Sequence, residues 1–90
     1  MSTLWFLDTE FHEDGRTIDL ISIALVSRNL EYYAVALDGW EYVHCSDWVK
    51  ENVLTKLPPE GDLAYRSRAR IRHEITGLFL HHKPTICGYF

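Results

Sequence analysis

The sequence is poor in the residues that mark several common classes of small protein. It has two cysteines, Cys45 and Cys87, which are too few for a disulfide framework and lack the spacing of a zinc site. Its first apolar run, residues 4–7, ends at Asp8 and is too short for a signal peptide or a membrane span. It contains no internal repeat and no low-complexity segment. These absences predict a reduced, cytoplasmic protein that does not enter a bilayer.

The composition predicts one small globular core. Of the 90 residues, 47% are hydrophobic and 24% are charged, which is the balance of a folded domain. A chain of this length buries about two-thirds or less of the surface that it exposes when unfolded. Pro58, Pro59 and Gly61 mark a loop inside this unit, because neither side of the loop is large enough to fold alone.

Acidic and basic residues are segregated along the chain. The formal charge is −4, which argues against nucleic-acid binding through bulk electrostatics alone. The first 19 residues contain five acids, opposed only by Arg16: Asp8, Glu10, Glu13, Asp14 and Asp19. Four arginines lie within seven residues: Arg66, Arg68, Arg70 and Arg72. This arginine cluster permits two interpretations, contact with an RNA backbone or a solvated helix face, and its two i, i+4 pairs point in different directions.

The pattern of apolar and turn residues predicts an α/β fold with the order β-β-β-α-α-β. The predicted strands are residues 4–7, 18–27, 31–37 and 84–90, and the predicted helices are residues 47–54 and 67–81. Asp14 and Gly15 form the first turn signal, and Ser46 is the expected N-cap of the first helix. We expect the first strand to be central and covered on both faces. The helical connection is long enough for the last strand to lie parallel to the first, giving a mixed sheet.

An acidic pair interrupts the apolar start of the chain. Asp8 and Glu10 are two residues apart, so on a strand their side chains share a face about 6.6 Å apart at their origins. Two carboxylates suit Mg²⁺ or Mn²⁺, which complete their coordination with water and substrate phosphates. The alternative is that the pair lies at a solvated strand end, or that one acid pairs with Arg16. Mutual repulsion among the five N-terminal acids favours the cation.

An ordered series of blocks across the chain carries a family resemblance. The segments "FLDTEFHEDGRTIDLISIALVS", "EYYAV", "LPP" and "RSRARIR" resemble the N-terminal half of DEDD-type 3′–5′ exoribonucleases of actinobacteria and their phages, which are described as polyadenylate-specific. The resemblance implies an incomplete ribonuclease H-like fold with a mixed sheet, in which residues 1–90 are the N-terminal part of one exonuclease domain. It also implies a single-stranded RNA 3′ end as substrate. Whether the preferred substrate is adenylate-rich RNA, other RNA or single-stranded DNA stays open.

The resemblance also implies roles for individual residues. Asp8 and Glu10 match the motif "DTE". In that family its acids bind two Mg²⁺ (or Mn²⁺) ions, with Asp8 expected to bridge both ions and Glu10 to hold the one that activates water. Thr9 and Phe11 flank this motif and are expected to contact the terminal nucleotide. The aspartate of the second motif is expected directly after Phe90, and the third motif has no counterpart. The 90-residue chain is therefore expected to be inactive, or nearly so, on its own.

A second function class stays open beside the enzyme. The chain could be a non-catalytic interaction module that binds RNA or a protein through the arginines or through an unpaired edge of its last strand. That edge could also support a homo-oligomer or pair with a complementing polypeptide. No general base is identified. Five histidines are expected to be solvent-exposed, and only the first lies near the acidic pair: His12, His44, His73, His81 and His82.

Overall fold

The computed structural model describes residues 4–13 and 15–89, which form one mixed sheet with two helices. The strands are β1 (Leu4–Glu13), β2 (Ile18–Val26), β3 (Glu31–Ala36), β4 (Tyr65–Arg66) and β5 (Thr85–Tyr89). The helices are α1 (Asp47–Asn52) and α2 (Arg68–His82), and two short 3₁₀ turns span Tyr42–His44 and Leu54–Lys56. The predicted α/β class and the order of its main elements are confirmed. The two-residue strand β4, which follows the proline-containing loop, was not predicted.

The strands lie in the order β4-β3-β2-β1-β5. The first three strands are antiparallel neighbours, whereas β5 runs parallel to β1 and β4 runs parallel to β3. The predicted meander and the parallel last strand are therefore confirmed. The prediction of a central first strand is confirmed, because β1 lies between β2 and β5, although β4 extends the sheet beyond β3 and makes β2 the middle strand. Within the described residues, β5 forms one edge of the sheet.

The first strand is covered on only one face near its start. Trp5 is 1% exposed, whereas its neighbours Leu4 and Phe6 are 49% and 47% exposed. Because successive side chains of a strand point to opposite faces, these values describe one packed face and one open face. The expectation that both faces would be buried is wrong. An unbroken apolar run gave no alternation from which the open face could be recognised.

Helix α2 packs on the covered face. The Ser67 hydroxyl accepts a hydrogen bond from the Arg70 backbone N–H and caps the helix, while Lys83, in the left-handed region with φ of 48°, ends it. Ile71 is 2% exposed and packs against two buried alanines of β3. The Phe79 ring lies 6.0 Å from the Trp5 ring, centroid to centroid. The predicted apolar stripe of this helix thus forms the main contact with the sheet.

Helix α1 and the 3₁₀ turn after it lie over the opposite face. The Ser46 hydroxyl accepts a hydrogen bond from the Val49 backbone N–H, as expected for an N-cap. Val49 and Val53 join a buried cluster with Ile21 of β2. The predictions that involve Asp14 and Phe90 lie outside the described residues. Within the described residues, no helix is both long and apolar enough to cross a membrane.

Candidate metal and phosphate site

Asp8 and Glu10 border one cavity on the face of the sheet that carries α1. The cavity has a volume of about 170 Å³. It is lined by Asp8, Glu10, Ser22, Ala24, Tyr33, Asn52, Val53, Lys56 and Leu57. The sequence prediction that the two acids share one face is therefore confirmed. The structure adds a second wall, which comes from residues more than forty positions further along the chain.

The register of β1 and β2 opens this cavity. Asp8 is paired with Ala24 and Glu10 with Ser22, so small side chains lie directly across from both acids. The pairing then shifts by one residue after Glu10, leaving Ile21 without a partner on β1. Small cross-strand neighbours leave room above the sheet for the carboxylates and for a bound ion. The shift also allows the buried side chain of Ile21 to join the cluster below α1.

The second wall is fixed by hydrophobic packing and by hydrogen bonds. Val53 is 6% exposed and belongs to the buried cluster, and Leu57 packs against that cluster. The Tyr65 hydroxyl donates a hydrogen bond of 2.7 Å to the Pro58 carbonyl and ties the following loop to the edge of the sheet. The Lys56 backbone N–H donates to the Val53 carbonyl at 3.1 Å. The wall therefore has a defined position relative to the acids.

Tyr33 connects the acidic pair to the outer strands. Burial raises the pKa of the Tyr33 phenol above its ordinary value, a hydrogen bond with the Ser22 side chain opposes this rise, and the nearby charges of Tyr65 and Glu10 add to it. The phenol is therefore neutral at neutral pH. A neutral hydroxyl beside two carboxylates can donate a hydrogen bond without competing for a cation.

The donor set suits one divalent cation of the magnesium type. Mg²⁺ commonly takes one or two protein carboxylates and keeps its remaining positions for water and phosphate oxygens, which matches Asp8 and Glu10. In the described part of the chain, neither acid forms an ion pair within 4.0 Å. The same residues contain no group of three or more His, Cys, Asp or Glu side chains placed to hold a metal. Two carboxylates fit one ion, and they do not by themselves form a two-ion centre.

Thr9 and Phe11, expected to contact a terminal nucleotide, do not line this cavity. Alternation along the strand turns Thr9 away from its two acidic neighbours. Its hydroxyl oxygen is buried and has no hydrogen-bond partner in the structure. Phe11 follows the register shift and is 37% exposed. Contact of either residue with a substrate stays a prediction. A substrate that contacts them must do so outside the cavity that Asp8 and Glu10 line.

His12 differs from the expectation for the histidines. It is 6% exposed, and its Nδ1 atom is buried without a hydrogen-bond partner, so the prediction of a solvent-exposed side chain is wrong here. The ring lies two residues beyond Glu10 and lines a separate cavity of about 730 Å³ with Asp19 and Trp40. The other four histidines are exposed, as predicted. Three of the four lie on α2, and His44 is the last residue of the first 3₁₀ turn.

The arginine cluster is partly neutralised within the fold. Arg66 lies on β4 rather than on the helix, and its Nε is 3.4 Å from Glu74 Oε1 without the geometry of a hydrogen bond. Arg70 Nε lies 3.5 Å from Glu74 Oε2. Arg68 and Arg72 line a different cavity, near the start of α2. The predicted Arg66–Arg70 helix pair is therefore wrong, although both side chains meet at Glu74.

Several cavity residues could not be recognised from the sequence. Lys56 lies in the segment "LTKLPP", where a single lysine before two prolines is an ordinary surface pattern. Ser22 and Ala24 lie within an apolar strand and became site residues only through their pairing with Glu10 and Asp8. Tyr33 is one of two adjacent tyrosines, and only strand alternation distinguishes it from Tyr32.

Comparisons with known proteins show what most of the chain is similar to. No family model matches the chain. The chain is 46% identical over 72 residues to two proteins from two strains of Mycobacterium tuberculosis, each named as a 3′-5′ exoribonuclease. Each match covers 79% of this chain but 42% of the relative, so the chain spans less than half the length of these proteins. Over most of its own length, the chain is similar to 3′-5′ exoribonucleases.

Proposed function

We propose that this chain contributes the first two metal ligands of a metal-dependent 3′–5′ exoribonuclease domain of the DEDD type, with a ribonuclease H-like fold. The observation that carries the proposal is the placement of Asp8 and Glu10 on one face of β1, beside a single cavity. Similarity to proteins named 3′-5′ exoribonucleases supports the reaction class. The proposed substrate is the 3′ end of a single-stranded RNA, and an adenylate-rich end is part of the proposal.

Within this proposal, Asp8 and Glu10 would hold Mg²⁺ or Mn²⁺. The ion would supply charge stabilisation at the scissile phosphodiester and activate water. The chain's own residues perform two further tasks: Ser22 and Ala24 keep the space above the acids open, and Val53 with Leu57 closes the opposite wall. A second ion needs further carboxylates, and the described residues present only two at this cavity. We therefore propose that the 90-residue chain alone releases mononucleotides very slowly or not at all.

A titration with Mn²⁺ tests the metal site directly. Asp8→Asn and Glu10→Gln each remove one ligand charge, so each is expected to weaken Mn²⁺ binding about tenfold or more, measured by electron paramagnetic resonance of free Mn²⁺. Glu13→Gln is the matched control, because Glu13 is an exposed acid of the same strand that does not line the cavity. Equal affinity in Asp8→Asn, Glu10→Gln and the unaltered chain would contradict the proposal.

The activity of the chain is tested with a 5′-labelled single-stranded RNA and Mg²⁺. The expected result is little or no shortening of the RNA, because the described cavity presents only two carboxylates. Rapid release of mononucleotides that is abolished in Asp8→Ala would support the reaction class. It would contradict the proposal that this chain is insufficient for catalysis.

The exposed start of β1 supports a second candidate, an interaction module. Leu4 and Phe6 are about half exposed, and β5 beside them is an edge strand within the described residues. An edge strand next to apolar side chains is a surface on which another chain can pair. Analytical ultracentrifugation without metal separates the two candidates when it is combined with the Mn²⁺ titration. Self-association or partner binding without any Mn²⁺ affinity would favour the module.

The proposed location is the cytoplasm. Cys45 and Cys87 are both free thiols, and Cys45 is buried beside α1. Free thiols persist where the surroundings are reducing. Cell fractionation followed by detection of the chain tests this part of the proposal.

A further inference from the structure

We propose that Lys56 forms a phosphate-binding site opposite Asp8 and Glu10, and that its ligand is the phosphate group of a nucleoside monophosphate or of an RNA 3′-terminal phosphodiester. The proposal rests on the proposed function, because it assigns the anion that the acids and their cation would receive. None of the sequence segments that carry the family resemblance contains Lys56. Its place among the residues that line the same cavity as Asp8 and Glu10 is the starting observation.

Lys56 is the one basic side chain among the residues that line this cavity. Two carboxylates alone repel a phosphate, and a divalent cation bound to them leaves the site with no net charge from these three groups. An ammonium on the opposite wall adds the positive charge that a phosphate requires. Lysine suits this task because its ammonium is a compact charge with three donors that can reach different phosphate oxygens.

Within the described residues, the ammonium of Lys56 forms no ion pair within 4.0 Å. The three ion pairs in the described part of the chain involve His44, Arg66 and Arg70, and none involves Lys56. The Lys56 side chain is exposed to solvent, and it is not paired with either of the two acids that border the same cavity. Lys56 therefore stays available to an anion instead of closing the cavity by pairing with Asp8 or Glu10.

The backbone at Lys56 is held on both sides. Its N–H donates to the Val53 carbonyl, and the N–H of the following Leu57 donates to the Leu54 carbonyl at 3.3 Å. Leu57 packs against the buried cluster, and the next residue, Pro58, accepts a hydrogen bond from the Tyr65 hydroxyl. The flexible part of Lys56 is therefore its side chain alone. A fixed attachment point beside a defined metal site reduces the entropy lost when a phosphate binds.

The test measures binding of adenosine 5′-monophosphate to the full chain at saturating Mn²⁺ by isothermal titration calorimetry. Lys56→Ala is expected to weaken nucleotide binding about tenfold, as for the loss of one charge-assisted hydrogen bond. The same variant is expected to keep the Mn²⁺ affinity of the unaltered chain. Lys56→Arg, which retains the charge, is expected to recover part of the loss.

Lys50→Ala is the matched control. It removes the same charge from the neighbouring helix α1, and the Lys50 ammonium lies over the Tyr42 ring, 4.8 Å from its centroid, rather than in the cavity. Its nucleotide affinity is expected to stay within about twofold of the unaltered chain. An equal loss in Lys50→Ala and Lys56→Ala would overturn the proposal, because it would show a general effect of net charge.

Two other outcomes separate this proposal from the metal site. Unchanged nucleotide affinity in Lys56→Ala, with Mn²⁺ binding lost in Asp8→Asn, overturns the phosphate site and leaves the metal site intact. Absence of Mn²⁺ binding by the unaltered chain contradicts the proposed function instead. If that chain also fails to bind adenosine 5′-monophosphate, the phosphate site is overturned as well. Thermal denaturation monitored by circular dichroism verifies that each variant is folded.

Discussion

The two faces of the sheet arise from the same strands but are covered in different ways. Helix α2, with 15 residues, packs Ile71 and Phe79 onto one face, where Trp5 is 1% exposed. Helix α1, with six residues, and the 3₁₀ turn after it cover only part of the other face. The part left open contains the cavity with Asp8 and Glu10. One face carries the longer helix with the buried Ile71, and the other leaves space beside the acidic pair where charged side chains can remain hydrated.

This difference separates the residues that stabilise the fold from the residues that can bind a ligand. Burial of apolar side chains provides most of the favourable free energy of a small domain, and a buried cluster on each face of the sheet supplies it. The acidic pair provides no comparable burial and brings two like charges close together. Such a site is expected to reduce stability slightly in the absence of its cation.

The largest expected effect is on the α2 face. Ile71→Ala removes a side chain that is 2% exposed and packs against β3, so the free energy of unfolding should fall by about 2–5 kcal/mol. Urea denaturation measures the change. Leu80→Ala, on the same helix but 72% exposed, is the control and should change stability by about 0.5 kcal/mol or less. Similar losses in both variants would show that this face is not the main packed core.

A smaller effect of opposite sign is expected on the α1 face. Asp8→Asn in the presence of EDTA removes one of two neighbouring like charges, so the free energy of unfolding should rise by about 0.5 kcal/mol or less. In saturating Mn²⁺ the unaltered chain should instead be more stable than Asp8→Asn, because it gains stability from the bound ion. Glu13→Gln should show no such reversal. A loss of more than about 1 kcal/mol in EDTA would mean that Asp8 has a structural role.

The smallest effect concerns the alkaline limit of stability. Burial raises the pKa of the Tyr33 phenol in the folded chain above its unfolded value of about 10. The neutral phenol therefore stabilises the fold fully below pH 10, and this contribution is lost as the pH rises above 10 through the raised pKa. The phenylalanine of Tyr33→Phe cannot ionise. The midpoint of denaturation of this variant should therefore fall less steeply with rising pH than that of the unaltered chain. If stability falls equally steeply above pH 10 in Tyr33→Phe, the loss comes from ionisation of other groups, such as Tyr32, whose pKa is also raised by burial.

Some elements could be predicted because their causes are local. The alternation of apolar and polar residues, Ser46 as an N-cap and the stripe that contains Ile71 each depend on neighbours only a few residues away. The shared face of Asp8 and Glu10 follows in the same way from the two-residue period of a strand. The burial of His12 could not be predicted, because it depends on which segment covers the end of β1.

The sequence by itself determined the order of the main elements, the shared face of the acidic pair and the apolar stripe of the long helix, because these depend on backbone periodicity. Only the tertiary structure decided that β2 is the middle strand, that the start of β1 is open on one face, and that Lys56 lines the same cavity as the acids. These features depend on strand pairing and on packing between residues far apart in the chain. Such contacts are selected by the free energy of the whole core rather than by any local pattern.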